Sequence, residues 1–156
     1  MNQAKKTLNV AYLEQQADAV REGLSGSHQS ALFEAAVEAG YLTALANGVE
    51  DEGERDALVK SVEILSKGLV LEWEVEPLIE KIAARIEAEG SPARCAAVGK
   101  NLQELGQAEA ALLVGAVVAH ATAGIDKQEA GVLEKIATAA GLGKPQISGI
   151  VKKARG

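Results

Sequence analysis

Between Ala110 and Ala119 ten consecutive residues carry no polar side chain. The run is half of the roughly 20 residues that a membrane-spanning helix requires, and it is apolar in every direction a helix presents. It therefore reads as a helix enclosed by protein, and the chain has to supply the helices that enclose it. A length of 156 residues suffices for one domain with a substantial core. An alanine-rich composition with 3% aromatic residues suits closely packed helices and disfavours a sheet.

Helical periodicity, punctuated by start and stop signals, recurs along the chain, and no convincing strand stands out. A first amphipathic helix over residues 8–20 is expected to break at Gly23-Leu24-Ser25-Gly26. Ser27 is placed to cap a second, which carries Leu32, Phe33, Ala36, Val37, Tyr41, Ala44 and Leu45 on one wide face until Asn47-Gly48. Asp51 opens a third with Leu58, Val59, Val62 and Leu65 in step, closed by Gly68. Residues 71–76 alternate like a strand, but Pro77 suits a first helical turn, so they read as a connection. The fourth helix turns Leu78, Ile79, Ile82, Ala83 and Ile86 inward and stops at Gly90. Ser91-Pro92 then opens a fifth in cap-then-proline order, with Cys95, Val98, Leu102 and Leu105 inside and Gly106 as its end. The enclosed sixth runs to about Ala123. A seventh starts at Asp126 and buries Leu133, Ile136, Ala137 and Ala140 before Gly141 and Gly143, and Lys144-Pro145 leads into a last helix with Ile147, Ile150 and Val151. The expectation is an all-α fold, a single-domain helical bundle of seven to eight helices, with residues 1–26 as an N-terminal helix and hinge and 27–156 as the main helical domain.

Charge narrows the function. A net charge of −6 argues against general nucleic-acid binding, which draws most of its affinity from clustered Lys and Arg. Lys144, Lys152, Lys153 and Arg155 make the C-terminus locally basic, as suits the negative end of a helix dipole. Cys95 is the only cysteine, which excludes an internal disulfide, a zinc ribbon and a CxxC pair and fits a reducing, cytoplasmic setting. On an inner helix face it reads as a small hydrophobe. His28 and His120 stand apart from any second zinc ligand at helical spacing, and there is no Gly-rich phosphate loop or nucleophile elbow. The expectation is a protein that is not an enzyme. Trp73, among Glu72, Glu74 and Glu76, reads as a loop hydrophobe folded over the core or as a partner anchor.

An internal repeat is the other organising feature. Gly48 and Gly124 lie 76 positions apart, each after an Ala-rich apolar helix, and Leu58 and Leu133 on the following helices lie 75 apart. Each unit is helix, Gly-turn, acidic cap, helix. Two such hairpins packed face to face would bury both apolar stripes in one bundle with an approximate two-fold, leaving the charged bends outside.

Here the chain resembles the TerB-like, or tellurite-resistance TerB, domains, which carry two loops of the form Ala/Ser-Asp-Gly-x(4 or 5)-Glu. Ala46-Asn47-Gly48-Val49-Glu50-Asp51-Glu52-Gly53-Glu54 is similar to the first copy and Thr122-Ala123-Gly124-Ile125-Asp126-Lys127-Gln128-Glu129 to the second, and the likeness spans residues 30 to 143. The resemblance implies a divalent-cation site in the loops. It also implies a role in tellurite and stress resistance through protein partners, in a membrane-associated complex at the inner membrane. The motif aspartate is Asn47 in the first copy and Ala123 in the second.

For calcium or magnesium, the first loop offers Asn47, Glu50, Asp51, Glu52 and Glu54, and the second retains Asp126 and Glu129. Exchanging a ligand Asp for Ala removes a ligand outright. Asp51-x-x-Glu54 and Asp126-x-x-Glu129 also have capping-box spacing, which explains the same residues without a metal. Two functions are therefore expected to compete. One is a TerB-like stress-resistance module with a weak cation site; the other is a metal-independent scaffold or adaptor that uses a helical face, for which a homodimer is one expected form.

Overall fold

The structure, a computed structural model, describes residues 10–23, 29–45, 52–66, 74–123 and 127–155. Within the described residues it contains eight helices and no strand: α1 (Val10–Gly23), α2 (Gln29–Ala44), α3 (Glu52–Leu65), α4 (Val75–Glu89), α5 (Ser91–Leu105), α6 (Ala108–Ala123), α7 (Lys127–Ala139) and α8 (Lys144–Arg155). The all-α bundle expected from periodicity is the fold observed.

Helix α6 occupies the centre because its composition leaves it no polar face. Ala111, Leu112, Val114, Ala116, Val117, Val118 and Ala119 are all buried, and α1, α2, α3, α5, α7 and α8 pack around it. Helix α2 departs from the single wide face expected of it. From Leu32 to Thr43 every residue except Glu34 is buried, so α2 is a second enclosed helix, flanked by α4, α5, α6 and α7. The buried Thr43 hydroxyl is satisfied within the helix, donating to the Ala39 carbonyl at 2.8 Å.

The two enclosed helices meet through glycine. A Cβ on Gly40 would lie 2.9 Å from the Gly115 carbonyl oxygen and 3.0 Å from Val118 Cβ. One on Gly115 would lie 3.0 Å from the Ala36 carbonyl and 3.2 Å from Ala39 Cβ. The backbones thus approach as closely as they can, and the small residues on both sides allow it. Helix α5 lies against α7 in the same manner, since a Cβ on Gly99 would come within 2.4 Å of Ala139 Cβ.

The remaining helices are amphipathic and turn one stripe to this centre. α1 contributes Leu13 and Ala17, α3 Leu58, Val62 and Leu65, α4 Leu78, Ile79, Ile82 and Ile86, and α8 Ile147, Ile150 and Ala154. The ends of α5 and α7 follow glycine chemistry: Gly106 and Gly141 have φ of 94° and 88°, which a side chain would strain. At the start of α5 the expectation needs correction. Ser91 is already the first helical residue, and the cap position belongs to Gly90, which provides no side-chain cap. Pro92 keeps its place in the first turn.

The packing partners follow a pattern. α1 lies on α3 as α5 lies on α7; α3 lies on α6 as α7 lies on α2; α1 lies on α6 as α5 lies on α2. α4 touches α2 and α3, as α8 touches α6 and α7, whereas among the described residues α4 on α5, α5 on α6 and α6 on α7 have no such counterpart.

Candidate functional site

Of the residues read as cation ligands, Asn47, Glu50, Asp51 and Asp126 lie outside the described residues. Glu52 and Glu54 fall in the first turn of α3, with only their backbone described. Glu129 in the first turn of α7 is 1% exposed, so this carboxylate sits inside the bundle rather than on a solvated bend. Among the described residues no three His, Cys, Asp or Glu side chains converge as a metal site would require. The fit of a divalent cation therefore rests on the two acidic bends themselves. Trp73 also lies outside the described residues.

Among the described residues the densest polar cluster is one that neither periodicity nor motif indicated. Glu38 projects from α2 with a side chain only 3% exposed, and two arginines from two other helices converge on it. Arg94 of α5 grips it as a fork, Nε to Oε2 at 2.6 Å and Nη2 to Oε1 at 2.9 Å. Arg85 of α4 donates from Nη1 to Oε1 at 3.0 Å. The outer guanidinium nitrogens continue the chain, Arg85 to Glu34 at 3.4 Å and Arg94 to Glu89 at 3.3 Å. The bond from Glu38 is the main cause that holds the Arg94 guanidinium above its ordinary pKa, so it stays charged at any working pH. The cluster holds three carboxylates and two guanidiniums, all engaged with one another, and has the form of a structural tie between α2, α4 and α5.

Cys95 is where the sequence places it, buried on the inner face of α5. Burial pushes its thiol above the usual value, only partly offset by Lys135, so it is a poor nucleophile. His120 lies half-buried in the last turn of α6.

Open grooves also lie among the described residues. One of about 670 Å³ runs between α7 and α8, lined by Ala130, Glu134, Lys144, Ile147, Ser148, Val151 and Lys152. A smaller one of about 430 Å³ lies where α5 gives way to α6, beside Gln103, Gly106, Glu109 and Leu142. The first combines an apolar floor with two lysines and one carboxylate. Among the described residues no helix is long and apolar enough to cross a membrane. Comparison with known proteins yields no match to a family model, to a curated protein or to a solved structure.

Proposed function

We propose that the chain is a non-enzymatic, TerB-like module assembled from two copies of a helix, Gly-turn, acidic-cap, helix unit. It acts in a stress or tellurite-resistance type of system through protein partners, with a weak divalent-cation site at the first acidic bend. The observation that carries this reading is that five helix pairings, α1–α3, α3–α6, α1–α6, α2–α4 and α3–α4, each have an exchanged counterpart when α1–α4 are swapped for α5–α8. Gly40 and Gly115, which meet at the centre, are 75 positions apart, matching the offset of Leu58 from Leu133. Glu34 and Glu109 share that offset, and each holds the outer helix of its own half: Glu34 bonds Arg85 on α4, and Glu109 accepts from Gln146 on α8 at 3.2 Å. In the sequence the two Gly-turn segments lie within one position of that offset, and the first retains the larger number of carboxylates.

The cation clause is tested by melting temperature. A site with a dissociation constant of about 1 mM, given about 10 mM calcium, stabilises by roughly 1.4 kcal/mol, which raises Tm by about 3–5 °C for a chain of this size. Asp51→Asn combined with Glu54→Gln should abolish the rise. An unchanged transition in the parent protein with both calcium and magnesium removes the cation clause and leaves a metal-independent scaffold.

A further inference from the structure

We propose that α4 is a latched helix, held on the bundle by the bonds of Arg85 to Glu38 and Glu34 and of Glu89 to Arg94, and able to swing away at Gly90 without unfolding the rest. Three features place the opening there. Helix α4 packs on α2, α3 and α5 but is absent from the group around α6, so only one of the two enclosed helices holds it. Its junction with α5 is the single residue Gly90, at φ 88° and ψ 146°, and a Cβ there would find nothing closer than Pro92 Cδ at 4.0 Å. Its far side is tied to α2 by charge: Arg85 spans Glu38 and Glu34, and Arg94, reaching in from α5, ties Glu89 at the end of α4 to the same Glu38.

The neighbouring α5 cannot move with it. Gly99 is pressed against Ala139 and the Ile136 carbonyl so tightly that a single methyl would not fit, which fixes α5 to α7. Arg94 therefore stays in place while α4 leaves, and Glu38 keeps its forked partner, so opening costs the Arg85 and Glu89 bonds and not the whole network. A buried carboxylate that retains one arginine avoids the penalty of an unpaired charge. Opening would uncover Leu78, Ile79, Ile82 and Ile86, the buried stripe of α4.

Hydrogen exchange on the full-length protein, resolved by mass spectrometry, tests the latch. Arg85→Gln removes the bonds of α4 to Glu38 and Glu34 and leaves the Arg94–Glu38 fork, with its bond to Glu89, intact. The expected result is that amides of residues 79–89 exchange at least about tenfold faster than in the parent, while those of residues 111–119 hold within about twofold. Glu38→Gln should accelerate residues 79–89 more than residues 111–119 as well. Equal acceleration of both segments in Arg85→Gln, or no acceleration of residues 79–89, overturns the proposal.

Discussion

Helix α2 is attached to the rest of the bundle on two sides by opposite kinds of chemistry. Toward α6 it offers Ala36, Ala39 and Gly40, and the contact is backbone against backbone. Toward α4 and α5 it offers Glu34 and Glu38, and the contact is carboxylate against guanidinium. Two positions along a helix turn it through about 200°, so the pairs 36/40 and 34/38 face nearly opposite ways. The glycine seam contributes stability through close packing and excludes anything larger than hydrogen. The charged seam contributes less net stability, because removing Glu38 from water offsets much of its attraction to the arginines. What it does supply is geometry, since the Arg94 fork accepts a carboxylate in only one orientation.

The largest effect should come from cutting the charged seam on one side only. Glu38→Ala leaves Arg94, whose side chain is 13% exposed, without its main partner, and should cost about 3–4 kcal/mol in a denaturant titration. Pairing it with Arg94→Met should cost less than the two single changes added together, by about 2 kcal/mol. Additive losses would mean that the seam is not a coupled pair. Next in size is the glycine seam. Gly40→Val forces methyl groups toward the Gly115 carbonyl and Val118 and should cost about 2–3 kcal/mol. A midpoint equal to the parent's would show that α2 and α6 stand further apart. The smallest effect belongs to the α8 start, where the Gly143 amide donates to Gln146 Oε1 at 2.8 Å on the exposed surface. Gln146→Ala should cost no more than about 0.5–1 kcal/mol, and a loss as large as that of Gly40→Val would mean that the outer helices matter as much as the centre.

The glycine seam and the charged seam were not equally legible. Apolar spacing alone marked the helices that carry Leu58, Val62, Leu133 and Ile136, and all four are buried as expected. The glycine stops at Gly106 and Gly141 were equally readable, since positive φ is the chemistry that glycine serves. Gly40 and Gly115 were visible only as members of apolar helices, because a glycine inside a helix does not name the partner pressed against it. Glu38 was missed altogether. Its partners lie 47 and 56 residues away, beyond any helical period, and a lone glutamate among Ala and Val looks like an exposed position. The usable signal was the pair Glu34 and Glu38, one turn apart inside an otherwise apolar helix, together with Arg rather than Lys at 85 and 94. Glu129 misled in the same way: capping spacing predicts a residue at a helix start, which it is, but says nothing of burial, and it lies inside.

The central claim is that α2 and α6 touch through Gly40 and Gly115, and proton NMR on the folded protein tests it most directly. Strong cross-peaks are expected from the Gly40 α-protons to a Val118 methyl, and from the Gly115 α-protons to the Ala39 methyl, whose carbons lie 3.1 and 3.2 Å from the corresponding Cβ positions. Assigned spectra in which Gly40 shows contacts only to residues of its own helix would contradict it.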